Sequence, residues 1–244
     1  NLLKFIIRFE NMDKFTIVIP VYNEAKNLEI LIPNIYKELK NIKFEIIIVD
    51  DSSNDGTHKI LKKFEKKNFK YIVRKKKRDL SKSCIEGFKK ASSKNIIVMD
   101  GDLQHKPSDI KKFLNIFYRY EPDFVVGTRD LFKNKKHNLN FFRLFASRAL
   151  ILVVNSLLGN KTSDPMSGFF MFKKSAFKKN QKKLIKKGYK ILLDLLYVGN
   201  QKVHVIDVNI NFDSRMKGKS KMNLKILFYL ISMISKKFLS RVIL

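Results

Sequence analysis

The strongest constraint on this chain is an alternation: short apolar runs, rich in β-branched residues, are separated by stretches of helical period. The runs are Phe15–Pro20, Phe44–Val49, Tyr71–Val73, Ile96–Met99 and Phe124–Gly127. Between them lie helical patterns: about 27–40, with Leu28, Leu31, Ile32, Ile35 and Leu39; one carrying Ile60, Leu61 and Phe64; then Ser81–Ala91 and Ile110–Tyr120. Near-continuous apolarity is what a parallel strand covered on both faces needs. Strand–helix alternation with right-handed crossovers predicts an α/β three-layer sandwich around a mainly parallel central sheet. Most of the runs end abruptly in polar residues: Tyr22 and Glu24, Asp50 and Asp51, Asp100, Asp102 and Gln104, and Arg129. Open α/β sheets bind ligands at the carboxyl ends of their strands, so these residues are the candidate site.

The fourth run carries the most chemistry. It ends in Asp100-Gly101-Asp102-Leu103-Gln104-His105. If the chain stays extended there, alternate residues point one way and Asp100, Asp102 and Gln104 offer three oxygens to one point. Hard oxygen donors suit magnesium or manganese sharing their shell with substrate phosphates. The competing reading is an ordinary polar turn, since Asp and Gly are common after strands.

Charge narrows the partners. There are 51 Lys and Arg against 22 Asp and Glu, a net +29, which attracts phosphate on nucleotides, anionic lipid or nucleic acid. Runs such as Lys75–Arg78 and 134–138 read equally as solvated faces. The single Cys84 excludes an internal disulfide, and no Cys/His cluster has zinc spacing. The chain begins with Asn1 rather than methionine, consistent with a fragment or a processed form, and Leu2–Phe9 is too short to span a membrane and shows no cleavage-site pattern.

The second half differs. Phe141–Leu158 is helical, with Arg143 and Ser147 four apart on one face and an almost wholly apolar end. The loop Ser163–Gly168 precedes Phe169–Phe172; Tyr189–Gly199 reads as a helix, Val203–Val208 as a strand and Phe212–Lys221 as a basic loop. The tail from Asn223 places Leu227, Leu230, Ile231, Ile234 and Phe238 at helical spacing among Lys236, Lys237 and Arg241. It is too charged to span a bilayer; lying in a membrane interface and packing on the domain are both open. The expected division is an extension (1–12), a catalytic domain (13–222) and an amphipathic interface helix (223–244).

Six motifs occur in a familiar order: Pro20-x-Tyr22-Asn23-Glu24, Asp50-Asp51-Ser52-x-Asn54-Asp55-Gly56-Thr57, Asp100-x-Asp102-Leu103-Gln104-His105-x-Pro107, Gly127-Thr128-Arg129, Asp164–Phe170 and Arg215-x-x-Gly218-x-Ser220-Lys221. Over roughly Phe15 to Lys221 the chain resembles family 2 glycosyltransferases of the GT-A fold, most closely the dolichol-phosphate mannosyltransferases and related polyprenyl-phosphate sugar transferases. The resemblance implies a Rossmann-like GT-A domain with C-terminal amphipathic helices. Pro20, Tyr22, Glu24, Val49 and Asp51 then form the nucleotide pocket, with Asp100, Gly101, Arg215 and Lys221 also at the donor and the last two on a closing loop. Asp100, Asp102 and Gln104 hold Mg2+ or Mn2+. Arg129, Arg143 and Ser147 take the acceptor's phosphate, and Asp102 and Arg129 are the catalytic pair. For Asp164 and Ser167 the alternative is a loop that supports the site.

The implied reaction is inverting transfer of mannose from GDP-mannose to dolichyl phosphate at the cytosolic face of the endoplasmic reticulum membrane, with small transmembrane partner subunits in some relatives. UDP-glucose is the alternative donor. Gly101 stands where the family often has Ala, and 79–83 lacks glycines that many relatives carry. A basic nucleic-acid-binding protein is the rival from another class; it leaves the acidic strand ends unexplained, so no nucleic-acid partner is expected. An inactive scaffold would require broken metal ligands, and none is broken.

Overall fold

The computed structural model describes residues 12–129, 141–198, 202–210 and 224–242, with the backbone alone for 141–146, 224–227 and 241–242. Its strands are β1 (Phe15–Val21), β2 (Phe44–Asp50), β3 (Phe69–Val73), β4 (Asn95–Val98), β5 (Phe124–Thr128), β6 (Phe170–Lys173) and β7 (Val205–Asn209). They form one sheet in the order β3-β2-β1-β4-β6-β5-β7. All pairings are parallel except those of β6, which runs antiparallel between β4 and β5. Every residue of β1 and β2 is buried, as their largely apolar sequences demand, with the polar Thr16 and Glu45 hydrogen-bonded to each other, whereas the edge strands β3 and β7 are partly exposed.

The helices are α1 (Ala25–Glu38), α2 (Thr57–Lys63), α3 (Leu80–Lys90), α4 (Asp109–Tyr120), α5 (Phe141–Leu158), α6 (Lys174–Asn180), α7 (Ile191–Leu196) and α8 (Leu224–Val242). One core layer packs α1, α2 and α4 on the sheet through Leu28, Leu31, Ile35, Leu61, Ile110 and Phe113. The other packs α3, α5, α6, α7 and α8 through Phe88, Val154, Phe177, Leu192 and Ile234. This is the predicted three-layer arrangement.

β1 ends at Val21, one residue past Pro20, close to the proline as a residue without an N–H requires. The ladder to β4 stops at Val18, so Pro20 is paired only toward β2, opposite Val49, and its missing N–H disrupts no central ladder. The third strand is longer than its apolar triplet suggested, beginning at Phe69, because Lys70 sits on the exposed side of an edge.

The tail helix joins the core rather than standing apart. Leu230, Met233 and Ile234 of α8 are buried, while Phe228, Ile231, Phe238 and Leu239 are exposed. Lys237 is also buried, its Nζ 2.7 Å from Oδ1 of Asp194 on α7; that carboxylate further accepts the amides of Ile185 and Lys186. A buried pair of this kind fixes position more than it adds stability. Beside α8, helix α5 exposes Leu152, Val153 and Leu157. No described helix is long and apolar enough to cross a membrane.

Candidate active site at the carboxyl edge of the sheet

Two acidic loops are built by the first two crossovers. Helix α1 has no side-chain cap of its own; Asp55, from the loop after β2, accepts the Ala25 amide at 3.0 Å and also binds the amide and hydroxyl of Thr57. Burial opposes ionisation of Asp55, but these bonds outweigh it and hold its carboxyl below the usual range. Gly56 sits at φ 90°, where a side chain would be strained. The Asp-Gly-Thr of this motif thus shapes the loop.

Asp51 is buried and both its oxygens are engaged, one by Arg74 and the other by the Asp79 amide at 2.7 Å. Burial raises its pKa, and those two partners oppose the rise. Its neighbour Asp50 binds Ser53 through Oδ1, while its buried Oδ2 has no hydrogen-bond partner. Glu24 accepts from Asn27 at 2.6 Å. Pro20 and Val49 are buried floor residues paired in register, and the Tyr22 ring is covered by the Arg78 guanidinium at 4.2 Å. Arg78 lay within a lysine run that sequence alone could not distinguish from a solvated face.

After β4 the chain does not stay extended, which corrects the strand-alternation argument. Met99 adds one bond to Val18, then Leu103 takes φ 65° and the segment folds back. The Asp100 amide donates to Nδ1 of His105 at 3.2 Å, and Asp102 accepts the Gln104 amide at 3.2 Å. Asp102 is 4% exposed, and the Asp100 side chain 37%. Asp100, Asp102 and Gln104 therefore lie on a tight loop rather than along an extended strand end.

His105, given no role from sequence, holds that loop. It is buried and stacked on Phe169 with centroids 4.9 Å apart, and its Nδ1 accepts a hydrogen bond, as only the uncharged ring can. Burial is the main reason its pKa falls to about 4; Asp102 pulls the other way and Arg129 adds to the fall.

The antiparallel β6 delivers the rest. Because it starts where its neighbours end, the preceding loop reaches the same edge. Buried Asp164 accepts from Arg129 through both oxygens, at 2.7 and 3.1 Å. Burial opposes the arginine's charge, but Asp164 more than compensates and its pKa rises. Ser167 donates to the Gly127 carbonyl at 2.6 Å and accepts the Phe169 amide, so Asp164 and Ser167 act as supports of the site. Thr162 and Ser163 tie this loop to Asp207 on β7. Gly168 faces Asp100 so closely that a Cβ there would lie 2.4 Å from Oδ2. A Cβ on Gly101 would meet Val21 at 2.8 Å, so even alanine there requires that side chain to shift.

Lys190, just before α7, completes the group and had no sequence signal among so many lysines. Its Nζ donates to the Met166 carbonyl at 3.0 Å. Burial and then Arg129 lower its pKa, while Asp164 and Asp100 oppose this. Asp100, Arg129, Asp164 and Lys190 are thus close enough to feel one another's charge. Ser147 lies half-buried on α5, which spans Arg143 as expected; the Arg143 side chain, Arg215 and Lys221 lie outside the described residues.

Among the described residues no group of three or more His, Cys, Asp or Glu side chains is set to hold a metal ion. Asp100 and Asp102 carry carboxylates and Gln104 an amide oxygen, donor types that suit a hard divalent cation completing its shell with substrate phosphate and water.

The family model for "Glycosyl transferase family 2" matches residues 16–181. The chain is 35% identical over 218 residues to a dolichol-phosphate mannosyltransferase of Pyrococcus furiosus, covering 88% of this chain but 61% of that protein's length. It is 32% identical to one of Mycosarcoma maydis, covering 87% and 75%. It is 27% identical to one of Saccharomyces cerevisiae, covering 92% and 87%. Among solved structures, glucosyl-3-phosphoglycerate synthase from Mycobacterium tuberculosis, in complex with Mn2+ and UDP-glucose, superposes with a TM-score of 0.71 at 15% identity, over 99% of this chain and 83% of that one. That likeness establishes the fold, GT-A with its seven-stranded sheet.

Proposed function

Because this chain belongs to glycosyl transferase family 2, we propose that it transfers mannose from GDP-mannose to dolichyl phosphate with inversion at the sugar carbon. The observation that carries the reading is the Arg129–Asp164 pair, 2.7 Å across, on the loop whose Gly168 abuts the Asp100 carboxylate at the carboxyl edge of the sheet. Carboxylates for a cation and fixed cations for phosphate then stand side by side. The similarity to mannosyltransferases from an archaeon and two fungi supports the choice of sugar and acceptor.

Asp100, Asp102 and Gln104 would hold Mg2+ or Mn2+, which supplies charge to bind the donor diphosphate and stabilise it as a leaving group. Pro20, Tyr22, Glu24, Val49, Asp51 and Gly101 line the nucleotide pocket; Asp51 acts largely by fixing the loop, given its two partners. Arg78 shields the Tyr22 face. Arg129, held in one orientation by Asp164, presents its guanidinium to the acceptor phosphate with Arg143 and Ser147, and Lys190 adds charge beside it. Arg215 and Lys221, by the family resemblance, would contact the donor. A phosphate monoester is anionic near neutral pH, so no strong general base is required, and placement with electrostatics lowers the barrier.

The exposed apolar residues of α5 and α8, next to Lys236, suit the interface of an anionic membrane. The cytosolic face of the endoplasmic reticulum is the proposed location, with small transmembrane subunits as possible partners. The test is incubation with labelled GDP-mannose or UDP-glucose, dolichyl phosphate and Mg2+ or Mn2+, followed by product analysis. Labelled dolichyl phosphate mannose supports the reading; a glucosyl lipid alone, or no lipid product, overturns it.

A further inference from the structure

A second concavity lies at the opposite, amino edge of the sheet. It encloses about 500 Å3, the size of a small-molecule site. Asn95 at the start of β4 and Lys173 at the end of β6 are paired in register in its wall. Strand direction therefore puts it at the far end of the same strands that lead to Asp100 and Gly168.

Its lining is strongly cationic: Lys94, Lys173, Lys174 and Lys178 face it, against the carboxylates of Asp13 and Glu121. Two of the lysines are already placed by carbonyls. Lys173 donates to the Glu121 carbonyl at 2.7 Å, and Lys174 to that of Ala91, where α3 ends. Lys174 sits near enough to Lys178 that, after burial, this like charge is the main reason its pKa falls; Glu45 opposes the fall. Tyr118 and Phe117 supply an apolar side. Crowded ammonium groups are the complement of a compact polyanion.

We propose that this cavity is a second ligand site, separate from the carboxyl-edge site, that takes a phosphomonoester: the phosphate between Lys94, Lys174 and Lys178, its organic part on Tyr118. The inference does not rest on the proposed glycosyl transfer, because its readout is binding.

The test follows backbone amide shifts of the labelled protein during titration with inorganic phosphate and glycerol 3-phosphate in EDTA, and with phosphatidic acid vesicles as a separate arm. The expected result is saturable shifts at 92–95 and 173–178. Affinity should weaken at least about fivefold in Lys94→Gln/Lys178→Gln, and not in the charge-matched Lys26→Gln/Lys37→Gln on α1. Soluble ligands giving this pattern identify a metabolite site; vesicles alone giving it identify a lipid headgroup site. Shifts confined to the carboxyl edge, non-saturating shifts over lysines generally, or equal losses in both variants would overturn it.

Discussion

Replacing Gly168 by alanine should separate catalysis from folding. The three nearest atoms to an added Cβ all belong to the Asp100 carboxylate, at 2.4, 2.9 and 3.0 Å, where ordinary contact begins at 3.4 Å. The carboxylate must therefore retreat by about 1 Å, which it can do by turning a side chain that is 37% exposed. Gly168 does not occupy the left-handed region, so alanine brings no backbone strain there, and its effect on the unfolded chain adds up to about 1 kcal/mol of stability. Activity has no such tolerance: a 1 Å error in a positioning group costs roughly 10²-fold, or about 2.7 kcal/mol of barrier. The assay pairs initial rates of labelled mannose transfer, across a Mn2+ titration, with urea denaturation. A midpoint near that of the wild type together with a rate about 100-fold lower is expected. Transfer within about threefold of wild type at the same Mn2+ would refute the role given to Asp100.

Other consequences follow from the same geometry. Asp102→Asn should abolish metal-dependent transfer while the far-ultraviolet circular dichroism stays unchanged; unaltered turnover would remove Asp102 from the site. Because His105 has a folded pKa of about 4 against an ordinary 6.5, the unfolded chain binds the proton first. Its contribution to stability is complete above pH 6.5 and fades as pH falls toward 4, by up to about 3 kcal/mol. Urea midpoints between pH 7 and 4.5 should fall less in His105→Gln than in the wild type, and parallel curves would contradict this. Lys237→Met leaves Asp194 buried without its cation and should destabilise by about 3–5 kcal/mol, with part recovered on adding Asp194→Asn. Additive losses in thermal melts would show that the two do not act as a pair.

The sequence made the layer architecture legible because β1 and β2 are apolar at nearly every position, on both faces, as a doubly covered sheet requires. The placement of the candidate residues was legible too, since Asp50 closes β2 and Asp100 and Arg129 follow just past β4 and β5. What escaped was local geometry that long-range contacts decide. The turn at Leu103 depends on His105 reaching back to the Asp100 amide and resting on Phe169, 64 residues away in sequence (169 − 105). The buried Arg129–Asp164 pair depends on β6 entering the sheet reversed, which one short apolar run could not reveal. Lys190 and Arg78 were hidden by the abundance of lysine and arginine around them. In the tail, helical spacing identified a helix, but which face packs was not in the spacing: Leu230 and Ile234 turn inward beside the Asp194–Lys237 pair, while Ile231 and Phe238 face out.

The most direct test of the central claim is Mn2+ binding followed by electron paramagnetic resonance in the presence of GDP. The account predicts one tight site in the wild-type protein that is lost in Asp100→Asn and in Asp102→Asn but kept in Lys237→Met. Equal Mn2+ binding by the wild type and both aspartate variants would contradict it.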